Sequence, residues 1–91
     1  MMTEGLSSAL FGKTRRALLT LLLTRSGEEF YLRQIVAEAR TGLGATQREL
    51  ATLVRSGIIE RQEKGKKIFY QANKKSPIFR ELRSLLTKTA A

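Results

Sequence analysis

Between positions 41 and 67 lies a set of cationic, amide-bearing and hydroxylated side chains that could do chemistry: Thr41, Thr46, Gln47, Arg48, Thr52, Arg55, Arg61, Lys64, Lys66 and Lys67. None of these makes a nucleophile with a base beside it. The chain has no Cys and no His, which excludes thiolate nucleophiles, imidazole acid–base chemistry, disulfides and thiolate or imidazole metal ligation. The carboxylates of Glu28, Glu29, Glu60 and Glu63 form no spaced cluster with a nucleophile or a metal-ligand pattern. Gly42-Leu43-Gly44 lacks the further glycine and the preceding strand of a dinucleotide loop. No active site, metal or cofactor is expected. What these residue types can do is grip a polyanion. An arginine can hold guanine O6 and N7 with two parallel hydrogen bonds, and a glutamine can pair similarly with adenine.

The stretch that positions most of them is Thr41–Gly57. Thr46, Leu50, Leu53 and Val54 fall at i, i+4, i+7 and i+8 and share one face of a helix. Gly57 suits a helix end that needs a positive φ. The opposite face shows Gly44, Ala45, Arg48, Thr52 and Arg55, with no large apolar side chain. Such a helix, buried on one side and small and basic on the other, can enter a DNA major groove. An ordinary amphipathic helix with solvated charges has the same pattern, so its neighbours in the chain decide between the two.

Met1–Gly5 reads as a loose start and Leu6–Phe11 as a short helical turn ended by Gly12. Lys13–Arg25 reads as a helix, with Leu19 and Leu23 widening its apolar arc beyond what one core usually needs. Glu29–Tyr31 can add a brief strand. Leu32, Ile35, Val36 and Ala39 mark a second helix over 32–40, and the turn Thr41-Gly42-Leu43, with Leu43 plugging the corner, leads into the third. Two short helices about a tight turn make a helix-turn-helix. After Gly57 the period changes to alternation: Ile58–Glu63 and Lys67–Ala72 are strands of a hairpin turned at Lys64-Gly65-Lys66. Phe69 and Tyr70 must point to opposite faces, one of them toward the core. Ser76 caps a last helix with Pro77 at its first position and Ile78, Phe79, Leu82, Leu85 and Leu86 along its stripe. The fold class is therefore mainly α with a small antiparallel β hairpin, a winged helix-turn-helix, in one domain over residues 1–91.

Charge supports the reading. Of 91 residues, 17 are Lys or Arg and 8 are acidic, a net +9. Residues 61–91 hold nine basic and two acidic groups, so seven of the nine net charges follow the third helix. This balance favours nucleic acid as the partner, ahead of an acidic membrane surface. The longest apolar run, Ala17–Leu23, is broken by Thr20 and too short to cross a bilayer. No signal peptide is apparent, and the expected location is the cytoplasm.

The runs Leu10–Arg16, Phe30–Ile35, Gln47–Leu50, Gly57–Ile59 and Phe69–Asn73 resemble the ArsR-type winged-helix regulators of prokaryotes, closest to a branch that occurs alone or ahead of a nucleotidyltransferase domain. The resemblance spans about residues 10–86. It implies DNA binding, transcriptional control and homodimerisation through the first and last helices. Metal-sensing members carry a Cys-rich motif on the third helix; this chain has none, so metal sensing is not implied, and no inducer is indicated.

The expected function is sequence-specific binding of double-stranded DNA by a homodimeric regulator, a repressor in the first instance. Gln47, Arg48 and Thr52 are expected to read bases. Thr41, Thr46, Arg55, Arg61, Lys64, Lys66 and Lys67 are expected on the phosphate backbone or in the minor groove. Thr46 has an alternative reading as a tolerated core position, and the lysine tip as a solubilising turn. Leu19, Leu23, Phe79, Leu82 and Leu86 are expected to form the dimer interface, because leaving them in water would expose a large apolar patch; the alternative for the first helix is unusually complete burial in its own core. The alternatives are a nucleic-acid-coating protein that binds DNA or RNA without sequence preference, and a protein-interaction winged helix.

Overall fold

The computed structural model describes residues 11–89. Helix α1 (Lys13–Thr24) is followed by α2 (Leu32–Ala39), α3 (Leu43–Arg55), strands β1 (Ile59–Lys64) and β2 (Lys67–Ala72), and α4 (Phe79–Thr89). The protein is thus mainly helical with one two-stranded antiparallel hairpin, as expected, and the arrangement is consistent with a helix-turn-helix followed by a wing. The expected loose start at Met1–Gly5 and most of the Leu6–Phe11 turn lie outside the described residues.

The first helix is the hub. It packs against α2, α3, α4 and β2, so apolar side chains are covered over most of its circumference. Leu18, Leu19, Leu22 and Leu23 are all at most 1% exposed. They form one cluster with Phe30, Ile35, Leu50, Leu53, Ile59, Ala72, Phe79 and Leu86. This corrects the expected dimer interface. Leu19, Leu23 and Leu86 are covered by their own chain, Phe79 is 9% exposed, and Leu82 is half-buried against the same cluster. Four neighbours, one of them a C-terminal helix folded back onto α1, supply the cover that a second copy was invoked to provide. Ion pairs tie the hub to its partners: Arg15 Nε donates to Glu49 Oε1 on α3 at 2.7 Å, and Arg25, just after α1, holds Glu28 and, on α2, Glu38.

The turn between α2 and α3 is closed by backbone rather than by an apolar plug. Arg40 adopts a left-handed conformation with φ 56°, and Thr41 N–H donates to the Val36 carbonyl at 3.3 Å. Leu43, expected to fill the corner, is 53% exposed, because it begins α3 one turn ahead of the buried Thr46 and Leu50. At the other end of α3, Gly57 has φ 78°; Ile58 N–H donates to Leu53 O and Gly57 N–H to Val54 O, both at 3.0 Å. This paired C-terminal closure satisfies two carbonyls and turns the chain into the hairpin.

In the hairpin Gln62 faces Phe69 and Lys64 faces Lys67, with Gly65 at φ 65° in the two-residue turn. The brief strand expected at Glu29–Tyr31 exists as a single bridge: Phe30 and Tyr70 exchange backbone hydrogen bonds of 2.9 and 2.8 Å. Asn73 locks the hairpin base to the end of α3, its side-chain amide donating to Gly57 O at 2.7 Å. The last helix begins at Phe79, later than expected. Ser76 caps a preceding turn, with Phe79 N–H bonded to Ser76 O at 3.1 Å, and Pro77 lies in that turn.

Candidate nucleic-acid interface

Helix α3 buries Thr46, Leu50 and Leu53 and turns its other side to solvent. The open side carries Gly44, Gln47, Arg48, Ala51 and Arg55, all exposed, with Thr52 half-buried beside them. Both arginines project from a surface of small residues; a side chain at Gly44 would sit 3.5 Å from the Arg48 guanidinium. Arg48 makes no ion pair among the described residues. Arg55 Nη2 donates weakly to Thr52 Oγ1 at 3.3 Å, and the Thr52 hydroxyl itself donates to the Arg48 carbonyl at 3.2 Å. Thr52 is thus bound within its own helix, while both guanidiniums keep most of their donors for a ligand.

Thr46 does not belong to this face. It is fully buried, its hydroxyl donates to Gly42 O at 2.7 Å, and it lies 2.6 Å from the Thr41 hydroxyl. Its expected contact with a phosphate is therefore corrected: the hydroxyl is consumed in closing the α2–α3 turn, as the core alternative had it. Thr41, half-buried, shares that bond. What remains open at this end of α3 is backbone, since Gly42 provides no side-chain cap. The first N–H groups of a helix have no intrahelical acceptor and suit an anion. Lys13, Arg16 and Arg40 stand around them, lining a recess of about 520 Å³ with Thr41 and Gly42. The separation of Lys13 and Arg16 from the third helix in sequence hid this grouping; the packing of the start of α1 beside the turn after α2 creates it.

Between α3 and the hairpin lies a cleft of about 470 Å³. Gln47, Ala51, Val54 and Arg55 form one bank, Arg61, Ile68 and Tyr70 the other, and Leu32 the end. Gln47, Arg55 and Arg61 are thereby brought together. The sequence reading missed Ile68, which is 38% exposed, and Ala51, whose small side chain keeps the bank low. The alternation of the strand was the available signal for Ile68, because it shares a face with Tyr70.

The hairpin cations divide into held and open groups. Arg61 donates to Glu63 Oε2 at 3.0 Å, and bonding to Glu63 first and to Tyr70 second raises its pKa above the ordinary arginine value. Lys64 Nζ is 2.6 Å from Glu29 Oε2 and lies over the Phe69 ring. Lys67 sits over the Tyr31 ring, 5.7 Å from its centroid, and Lys66 is exposed at the turn; neither forms an ion pair among the described residues. The four expected backbone contacts of the hairpin are therefore two open lysines and two cations already neutralised by glutamates.

Among the described residues no group of three or more acidic side chains could hold a metal ion, and no helix is long and apolar enough to cross a membrane. Comparison with family models, with curated proteins and with solved structures finds no match for this chain.

Proposed function

We propose that this chain is a winged helix-turn-helix DNA-binding protein that regulates transcription, with α3 in the major groove and the hairpin as the wing. The observation that carries the reading is the uncovered face of α3. It combines small residues, two arginines with open donors and a cleft leading to a cationic hairpin. In this reading Arg48 contacts a base edge, and Gln47 lies at the flank within reach of a second. The strand of the duplex that separates the two grooves runs along the cleft. Its phosphates meet Arg55, and Arg61 once a phosphate takes the place of Glu63, and its deoxyriboses lie on Val54 and Ile68. Lys66 and Lys67 reach the adjacent groove or backbone. The N-terminus of α3, with Lys13, Arg16 and Arg40 around it, takes a further phosphate.

Homodimerisation is proposed on the resemblance to ArsR-type regulators alone, since the leucines that argued for it are buried, or for Leu82 half-buried, against their own chain. Sedimentation with a palindromic duplex counts the copies bound, and one copy per palindrome removes that part of the proposal.

Fluorescence anisotropy of a labelled duplex across a salt series tests the main reading. If each copy neutralises about five phosphates, log K falls with log salt at a slope near −4.5 per copy. A flat response overturns duplex binding. Equal affinity for every duplex selected or scrambled, with the steep slope retained, replaces a regulator by a coating protein.

A further inference from the structure

The face of the hairpin turned away from α3 carries a second, aromatic surface. Ile68 and Tyr70 line the cleft toward α3, so the alternation of β2 sends Phe69 to the other side. The bridge between Phe30 and Tyr70 adds Tyr31 beside it, because Phe30 is the fully buried member of that pair and Tyr31 the outward neighbour. The two rings pack at a centroid distance of 4.7 Å and an interplanar angle of 34°, and Tyr31 remains 41% exposed. Lys64 Nζ is 5.3 Å from the Phe69 centroid, and Lys67 Nζ is 5.7 Å from that of Tyr31. Glu29 fixes Lys64 in place. Lys67 has no carboxylate partner among the described residues, and the exposed Lys66 precedes it in the turn.

We propose that this face binds single-stranded nucleic acid, with an unpaired base stacked on Tyr31 against Phe69 and the adjoining phosphates held by Lys66 and Lys67. A nucleotide matches both halves of the surface. Its base offers the flat π face that an exposed aromatic ring accepts, and its phosphate offers the anion that the open ammoniums lack. An acidic peptide would satisfy the lysines and leave the rings in water. An aromatic peptide would do the reverse and meet repulsion if basic. The lysine now over Tyr31 is no barrier. A cation over an exposed ring is held more weakly than a base stacked on it, so the base displaces Lys67 and the released ammonium gains a phosphate. The two rings lie on the opposite side of the hairpin from the α3 cleft, while Lys66 and Lys67 are shared with the proposed duplex contact, so the base-dependent part of single-strand binding is what separates this reading from that one.

The test compares the full chain binding labelled oligothymidylate, oligouridylate and an abasic strand of the same length, by anisotropy at fixed low salt. The abasic strand keeps every phosphate and removes every base. The expected result is that at least one base-bearing strand binds about five- to hundredfold more tightly than the abasic one. Tyr31→Ala should abolish that difference without changing affinity for the abasic strand, and Tyr31→Phe should keep it. Oligodeoxyuridylate, which differs from oligouridylate in the sugar alone, identifies the preferred sugar. The chain has two tyrosines and no tryptophan, so base-bearing strands should also quench its tyrosine fluorescence where the abasic strand does not. That quenching should be lost in Tyr31→Phe, which keeps Tyr70, and this readout holds even if Tyr31→Ala fails to fold. Equal binding of abasic and base-bearing strands overturns the proposal. So does a base-dependent difference that survives in folded Tyr31→Ala.

Discussion

Helices α1 and α3 are of nearly equal length, 12 and 13 residues, and both contain leucines, yet the fold uses them in opposite ways. In α1 adjacent leucine pairs, Leu18-Leu19 and Leu22-Leu23, are buried because neighbours stand on several sides. In α3 only the stripe Thr46, Leu50 and Leu53 is buried, and the far side is left to solvent. The difference teaches that an apolar surplus on a helix reports how many partners it has. It does not report that a further chain must cover it. A helix with one covered face and a small, cationic open face is the one available to a ligand.

The largest effect expected from this contrast is on stability. Leu22→Ala removes a fully buried side chain from the hub and should cost about 2–5 kcal/mol, whereas Leu43→Ala on the open start of α3 should cost less than about 0.5 kcal/mol. Urea denaturation followed by circular dichroism measures both. Similar losses would mean that α3 is not half open. Next comes the proposed binding face. Arg48→Ala should weaken a specific duplex by about 1–3 kcal/mol and relax one base-pair preference, with unfolding unchanged. Lys66→Ala should weaken every duplex alike and make the salt slope shallower by about one. Uniform losses in both variants would erase the division between a reading helix and an anchoring hairpin.

Thr46 sharpens the boundary between the two faces of α3. Thr46→Val should lower stability by about 1 kcal/mol through lost hydrogen bonds and leave duplex affinity of the folded protein unchanged. A loss of affinity without a loss of stability would return Thr46 to the interface. The smallest effect concerns the exposed anchor of the hub. Hydrogen bonding to Arg25 holds the Glu28 carboxyl below its ordinary range. Because the folded-state pKa is the lower one, the stabilisation is complete above the unfolded value of about 4.3. It is lost as pH falls through the depressed folded value. The melting temperature should therefore drop with acid over that window, and Glu28→Gln should flatten the drop slightly. With no His in the chain, duplex binding should stay level between about pH 6 and pH 9.

By itself the sequence determined the fold class, the order of the elements and the open face of α3. These follow from short-range physics. The 3.6-residue period of Thr46, Leu50 and Leu53, the change to alternation after Gly57, and the glycines at 57 and 65 that take positive φ each act within a few residues. The tertiary structure alone decided which surplus leucines were already covered, since that depends on α4 folding back onto α1 across more than fifty residues. It also decided that Lys64 is neutralised by Glu29, that Lys13 and Arg16 join Arg40 at the start of α3, and that Tyr31 meets Phe69 on the outer side of the hairpin. Each of these juxtapositions joins residues far apart in the chain. A periodicity places a residue on a face, but only packing determines what stands opposite that face.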